Sequence, residues 1–170
     1  MAAQVKDGDP ATGKYRDGTH NPAGPEYNKR HIQPPFKGVS NTDYYQNFKE
    51  FLDARKEKQP FYFWVGSGEP HRPYEKDSWK KANRELTDAE VPPFLPDKEA
   101  IKGDLLDYGT EIEWYDSQLS RILDILKEKD ELENTLIIVM ADNGMPFPAA
   151  KATCFEYGIH VPRLSAGQAK

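Results

Sequence analysis

The sequence predicts an α/β fold in which helices and long loops cover a mostly parallel sheet. Two short apolar runs, residues 61–65 and 136–141, have the length of strands, and neither shows polar alternation. An amphipathic segment, residues 97–129, leads directly into the second run, which is the helix-then-strand half of a right-handed parallel crossover. Proline (14 residues) and glycine (12) fall mostly outside these segments, as expected of long, shaped loops.

Composition limits the classes of protein and partner. A chain of 170 residues is long enough for one domain with a core, although its mean hydropathy of −0.84 is low for an α/β domain. The formal charge of −5 argues against a nucleic-acid partner, which would call for a basic excess. No apolar run approaches the length that a membrane span needs, and the first residues lack the apolar region of a signal peptide, so localisation is not predicted.

The chain divides into three parts by composition. Residues 1–40 are interrupted by proline and glycine too often for either periodicity and are predicted to be an irregular loop segment. Residues 41–162 carry the apolar periodicity and are predicted to form the α/β domain. Residues 163–170 are small and polar, without strand character, and are predicted to be a tail. The last strand of the domain is expected to begin just before this tail, at Ile159 or Val161.

The first helix and strand follow from local signals. Residues 40–43, Ser-Asn-Thr-Asp, are typical of a helix start, and Tyr44, Phe48 and Phe51 then recur at helical spacing. We expect this helix to end near residues 56–58, before Pro60. The aromatic run after Pro60 predicts a strand that delivers His71 to a loop between two prolines.

The long helix is predicted from an apolar stripe that repeats in steps of four and three residues. Asp97 is a plausible N-cap, and Gly103 and Gly109 each cost about 1 kcal/mol relative to alanine, so the first turns are expected to fray or kink. Its acidic residues are predicted to be solvated or capping charges; they include Glu111, Glu113 and Asp116.

The second apolar run is predicted to be a strand buried on both faces, ending at Asp142-Asn143-Gly144. Ligands of open α/β sheets sit beyond the carboxyl ends of strands, and a carboxylate beside a carboxamide offers the oxygen ligands that Ca²⁺ or Mg²⁺ accepts. The same tripeptide is also ordinary turn chemistry. Lys151, a few residues on, could meet an anionic group bound to such a metal.

The longer string resembles the distal metal-site segment of the formylglycine-dependent sulfatases, within the alkaline phosphatase superfamily. It comprises residues 142–148 (Asp-Asn-Gly-Met-Pro-Phe-Pro), residues 151–153 (Lys-Ala-Thr) and residues 157–162 (Tyr-Gly-Ile-His-Val-Pro). The similarity is to the heparan N-sulfatase (sulfamidase) branch and its bacterial relatives, and it extends to Pro-His-Arg-Pro around His71. The resemblance covers roughly residues 20–162, so it implies a partial sulfatase fold.

The resemblance also implies roles for four residues. Asp142 and Asn143 would complete a Ca²⁺ site, Lys151 would contact the sulfate, and His71 would bond the sulfate or the leaving-group oxygen. Many relatives carry a further histidine where this chain has Gly68, and an arginine where it has Ala149, so two polar contacts of the family are in doubt. The implied substrate is a sulfated glycan or a small sulfated molecule. Relatives are periplasmic, secreted or lysosomal.

The family's nucleophile is a formylglycine made from the cysteine of Cys-x-Pro-x-Arg. Cys154, the one cysteine, is followed by Phe-Glu-Tyr-Gly and fails that motif, so we predict a small buried hydrophobe there. Since the motif lies amino-terminal to these segments in the family, we expect this chain to be an incomplete segment that is inactive alone.

Two alternatives remain open. One is a non-catalytic remnant that binds Ca²⁺ or a sulfated ligand without turnover. The other is a phosphoester hydrolase of the same superfamily, against which the sulfatase-like Pro-Phe-Pro…Lys pattern stands.

Overall fold

The computed structural model describes residues 2–6, 26–56 and 59–167, with the backbone alone for residues 2–6. The predicted α/β class is confirmed. In chain order, the helices and strands are β1 (Ala2–Lys6), α1 (Tyr44–Ala54), β2 (Tyr62–Gly66), α2 (Ser78–Lys81), α3 (Glu99–Glu128), β3 (Ile137–Met140), α4 (Glu156–Ile159) and β4 (Arg163–Ala166). Two short 3-10 turns lie at Leu86–Asp88 and Leu132–Asn134.

Helix α1 begins where its capping signal predicts. The Asp43 carboxylate accepts a hydrogen bond from the Gln46 backbone N–H at 2.9 Å, which satisfies one of the free donors of the first turn. The helix ends at Ala54, two residues before the predicted end. Its apolar face is buried through Tyr44, Phe48 and Phe51.

The core lies between α1, the carboxyl-terminal half of α3 and strand β2, which pairs in parallel with β1. The Phe63 ring centroid lies 4.9 Å from that of Phe48 and 4.7 Å from that of Phe51. Helix α3 adds Ile122, Ile125 and Leu126. Alternate β2 residues point the other way, and Tyr62 and Trp64 remain 60% and 52% exposed.

Helix α3 is continuous from Glu99 to Glu128, so the expectation that its first turns fray at the two glycines is wrong. The N-cap position belongs to Lys98, while Asp97 instead pairs with Lys102. Helix α3 buries polar side chains where the apolar stripe predicted a hydrophobic face; Asp107, Thr110 and Glu111 lie in its amino-terminal half, and Gln118 follows in the next turns. The prediction that Glu111 is solvated is therefore wrong.

The strand after α3 is not buried on both faces. Within β3, Ile137 and Val139 are half-buried, but Ile138 and Met140 are 49% and 64% exposed. Among the described strands, β3 pairs antiparallel with β4 and β2 pairs in parallel with β1, so the two predicted strands lie in separate two-stranded sheets. A short apolar run therefore predicts that a strand forms, but the elements packed around the strand determine which of its faces are buried.

Two predictions about the chain ends also need correction. Residues 2–6 form a strand within the segment predicted to be irregular, while residues 7–25 lie outside the described part of the chain. Arg163–Ala166, predicted to lack strand character, form β4, and the residues where a strand was expected to start fall in or after the single turn of α4. Residues 168–170 also lie outside the described part. Across the described residues, no helix is both long and apolar enough to cross a bilayer.

Candidate functional site

His71 lies in the loop that follows β2, and we call residues 67–74 the His71 loop. The buried Glu69 carboxylate anchors the loop to the start of α1, accepting hydrogen bonds from the Ser40 backbone N–H at 2.7 Å and the Tyr44 hydroxyl at 3.0 Å. The His71 backbone N–H donates to the Gly68 carbonyl at 3.0 Å. His71 is thus an exposed side chain at the tip of a tightly bonded turn.

One contact of the His71 imidazole indicates which tautomer it adopts. Its Nδ1 atom lies 2.7 Å from the Arg72 carbonyl oxygen. Because a carbonyl oxygen only accepts, the proton of the neutral ring is on Nδ1, and Nε2 carries the lone pair. The nitrogen of this histidine that is available for chemistry is therefore Nε2.

The predicted metal ligands stand at the carboxyl end of β3. Asp142 is exposed, and the half-buried Asn143 donates from Nδ2 to the Gly144 carbonyl at 2.9 Å, which leaves its Oδ1 oxygen as an acceptor. Gly144 is required by packing, since a Cβ there would lie 1.9 Å from the Tyr157 carbonyl oxygen. The turn therefore closes against residues 157–158 with Asp142 and Asn143 at its start.

Lys151 closes the same loop, residues 142–151, which we call the site loop. The Met145 carbonyl accepts hydrogen bonds from the backbone N–H groups of Phe147 at 2.8 Å and Lys151 at 3.0 Å. Ala149 and Ala152, on either side of Lys151, have φ of 60° and 62°, in the left-handed region that costs a non-glycine residue about 1–2 kcal/mol. Backbone strain of this kind is concentrated at functional loops.

Arg72 joins the two loops. Its Nε donates to the Pro146 carbonyl at 3.0 Å, and its guanidinium carbon lies 4.9 Å from the Phe147 ring centroid. The structure therefore brings the loop of His71 against the loop that runs from Asp142 to Lys151, as a shared site requires.

The carboxylate set for a metal is only partly present. In the described residues, no group of three or more His, Cys, Asp or Glu side chains is arranged to hold a metal ion. Asp142 and Asn143 offer two oxygen ligands, whereas Ca²⁺ takes six to eight. The pair would therefore supply at most one side of a calcium shell.

A buried acidic cluster comprises Glu69 of the His71 loop with Asp107 and Glu111 of α3. Asp107 accepts hydrogen bonds from Ser78 Oγ at 2.8 Å and the Trp79 backbone N–H at 3.2 Å. Glu111 is 2% exposed, and neither of its carboxyl oxygens has a hydrogen-bond partner among the described residues. Burial, with the charges of Glu69 and Asp107, raises the pKa of Glu111 to about 8.

Two other features lie apart from these loops. Cys154 is exposed, so its prediction as a buried hydrophobe is wrong. A shallow pocket is lined by residues of α3 and its neighbours, including Arg84, Leu105 and Glu113, none of which belongs to the predicted site.

Comparison with known proteins identifies the family. The family model described as Sulfatase matches residues 7–170. The chain belongs to the sulfatase family. Among solved structures, this sulfatase chain is similar to the candidate sulfatase yidJ from Bacteroides fragilis, with a TM-score of 0.61 and 19% identity over 82% of this chain and 36% of that one. That likeness supports the sulfatase fold.

Two curated sulfatases are also similar in sequence. The "Ulvan-active sulfatase" of Formosa agariphila is 31% identical over 44% of this chain and 12% of its own length. The human "N-sulphoglucosamine sulphohydrolase" is 25% identical over 68% of this chain and 27% of its own length. This sulfatase chain therefore spans about a quarter or less of the curated relatives it matches.

Sequence reasoning missed the residues that hold the sulfatase loops in place, namely Glu69, Arg72 and Asp104. Arg72 carried a usable signal, since it is a cation inside the Pro-His-Arg-Pro string. Its partner Asp104 lies 32 residues away on α3 and has no local signature. Only the folded chain shows that the two meet.

Proposed function

We propose that this chain supplies part of the active site of a sulfatase that hydrolyses a sulfuric ester or a sulfamate. The observation that supports it is the contact of Arg72 with Pro146 and Phe147, which holds the His71 loop against the site loop. Sulfated glycans are the proposed substrate class, with heparan-type N-sulfoglucosamine as the specific candidate, because one relative is named as an N-sulphoglucosamine sulphohydrolase.

In this proposal Asp142 and Asn143 hold a Ca²⁺ ion. Both side chains stand just after the carboxyl end of β3. The Asn143 amide nitrogen donates to the Gly144 carbonyl within the turn, and the amide oxygen is the atom that would bind the ion. When bound, the ion would neutralise charge on the sulfate oxygens. Lys151 adds a compact positive charge on the same loop, suited to an anionic group.

His71 would serve as the proton donor to the leaving group. Because Nδ1 is occupied by the Arg72 carbonyl, protonation of the ring places the transferable proton on Nε2. A positioned acid of this kind typically contributes about 10²–10⁴-fold to a rate.

The nucleophile is proposed to come from outside these 170 residues. The sequence contains no Cys-x-Pro-x-Arg, and Cys154 has the wrong neighbours for conversion to formylglycine. When present, formylglycine supplies the attacking oxygen. The alternative of a non-catalytic binding domain shares every contact described here and differs only in lacking that nucleophile. Sequencing the DNA upstream of Met1 for an in-frame Cys-x-Pro-x-Arg separates the two.

The anion-binding half of the proposal is tested with N-sulfoglucosamine and the 170-residue chain in saturating Ca²⁺. We expect Ca²⁺-dependent binding that Lys151→Ala weakens about tenfold, because one desolvated charge-assisted contact contributes on the order of 1.4 kcal/mol. Lys80→Ala is the matched control, since Lys80 is an exposed lysine that pairs with Asp77 on the amino-terminal side of α2. Equal losses for the two variants, or equal binding of glucosamine without the sulfo group, would contradict the role of Lys151.

Turnover gives the second test. The purified chain should not hydrolyse a sulfated chromogenic ester. Robust hydrolysis that Asp142→Ala abolishes would show that the nucleophile is already present and would overturn this part of the proposal. Hydrolysis of the matching phosphate ester, but not of the sulfate ester, would favour the phosphoester hydrolase.

A further inference from the structure

We propose that Arg72 is a positioning residue that fixes the tautomer and orientation of the His71 imidazole by fastening the His71 loop to α3 and to the site loop. The inference rests on the proposed function, because it assigns His71 its catalytic nitrogen. Its support is the set of contacts that one guanidinium makes with three separate parts of the chain.

The first of these parts is α3. Arg72 Nη1 donates to Asp104 Oδ1 at 2.9 Å, and Nη2 donates to the other oxygen of the same carboxylate. This two-point pairing uses the planar fork of arginine, which a lysine ammonium cannot reproduce. The Asp104 carboxylate also raises the pKa of Arg72, so the charge is permanent.

The second and third parts are the site loop and the His71 loop itself. The Nε–H of Arg72 donates to the Pro146 carbonyl at 3.0 Å. The guanidinium carbon lies 4.7 Å from the ring centroid of Tyr74 and 4.9 Å from that of Phe147, within the range of cation–π contacts. These contacts fix the position of the Arg72 side chain, and they therefore also restrain the backbone of residue 72.

That backbone holds the His71 ring. The Arg72 carbonyl oxygen accepts from His71 Nδ1 at 2.7 Å, so a displaced residue 72 would free the ring to exchange its proton between the two nitrogens. The far side of the loop is anchored separately, through Glu69 to Ser40 and Tyr44. Loss of Arg72 should therefore release the tip of the loop while the core and α1 stay folded.

The test is nitrogen-15 NMR of the imidazole rings in the 170-residue chain, at a pH where the rings are neutral. The variants are Arg72→Ala, Arg72→Lys and Asp104→Asn. The matched control is Arg84→Ala, which also removes an arginine paired with a carboxylate of α3. The partner of Arg84 is Glu113, and this ion pair does not involve the His71 loop. His31 and His160 report on the rest of the fold.

We expect wild-type His71 to be in the Nδ1–H form, and we expect Arg72→Ala to lower the fraction of that form at least about twofold. Arg72→Lys and Asp104→Asn should lower it by smaller amounts, and Arg84→Ala should leave it unchanged. The inference is overturned if Arg72→Ala keeps the wild-type tautomer while the His31 and His160 signals are retained. Should that variant not fold, an unchanged tautomer in both Arg72→Lys and Asp104→Asn overturns it.

The tautomer measurement is independent of calcium and of sulfated ligand. A chain whose His71 tautomer follows Arg72, but which binds neither Ca²⁺ nor N-sulfoglucosamine, would uphold the positioning contact and contradict the proposed function. A chain that binds both Ca²⁺ and N-sulfoglucosamine, but whose His71 tautomer does not change when Arg72 is replaced, would support the proposed function and contradict the positioning contact.

Discussion

Glu111 is the residue whose surroundings depart furthest from ordinary solution chemistry. The residue is 2% exposed, its carboxyl oxygens lack a hydrogen-bond partner among the described residues, and a Cβ placed on Gly38 would lie 3.2 Å from its Oε1. The cause of its raised pKa, to about 8, is first burial and then the neighbouring carboxylates of Glu69 and Asp107. At neutral pH the group is therefore mainly protonated in the folded chain.

This gives a pH prediction. The folded state keeps a proton that the unfolded state loses near 4.5, the ordinary pKa of a glutamate side chain, so Glu111 makes the free energy of unfolding fall as pH rises from about 4.5 to about 8. The slope is at most about 1.4 kcal/mol per pH unit. Glu111→Gln should flatten it, as measured by urea unfolding across that range. Glu113→Gln, at an exposed position, is the control, and equal slopes in wild type and Glu111→Gln would contradict the account.

Glu111 also shows which kinds of residue the sequence alone can predict and which it cannot. Asp142, Asn143, Lys151 and His71 sit in short strings whose order is informative, so the sequence alone yields a site prediction for them, which stays a prediction. Glu111 lies on a helix with other acidic residues, and nothing local distinguishes it from the solvated Glu113. Its burial depends on Gly38 and the His71 loop, which only tertiary packing brings to it.

At the scale of elements, the two long helices differ in how they start. Asp43 caps α1 through a hydrogen bond to Gln46, whereas Asp97 lies outside α3 and pairs with Lys102 on the surface. Residue type alone predicts a cap at both positions. The difference is geometric, since a cap needs its side chain to reach back to a free N–H.

Asp43→Ala should therefore destabilise the chain by about 0.5–2 kcal/mol, because it leaves a helix-end N–H without its acceptor. Asp97→Ala should change the free energy of unfolding by less than about 0.5 kcal/mol, as expected of an exposed ion pair. Denaturant unfolding of the two variants beside wild type makes the comparison. A larger loss for Asp97→Ala than for Asp43→Ala would show that the caps are wrongly assigned.

Strand β3 illustrates why element type is easier to predict than element surroundings. Its β-branched run correctly predicts a strand, since local composition sets the backbone preference. The faces it buries, and the β4 partner, depend on distant residues. The polar composition of Arg163–Ala166 does not indicate a strand, which there follows from pairing with β3.

At the scale of the whole molecule, apolar strand surface remains uncovered. Leu136, Ile138 and Met140, at alternate positions, are 71%, 49% and 64% exposed, and β2 adds Tyr62 and Trp64. An exposed apolar stripe such as the one along residues 136–140 favours association. We expect the chain to be marginally stable and to associate as its concentration rises.

Sedimentation velocity tests this expectation. The double variant Ile138→Thr/Met140→Thr should weaken association about tenfold or more, since each buried side chain contributes roughly 1.5–3 kcal/mol, and threonine keeps the strand propensity. Ile159→Thr, at another exposed apolar position outside the strands, is the control. A wild-type monomer with a sharp, high-temperature unfolding transition would count against the prediction.

The central claim is that the end of β3 binds a divalent cation beside His71 and Lys151, and calorimetric titration of Ca²⁺ into the 170-residue chain tests it most directly. We predict a single weak site, with a Kd on the order of 10⁻⁴–10⁻³ M because two protein oxygens are only part of a full calcium shell. Asp142→Ala should abolish the heat of binding, while Asp124→Ala, at an exposed carboxylate on α3, should leave it unchanged. Absence of binding, or binding that survives Asp142→Ala intact, would contradict the claim.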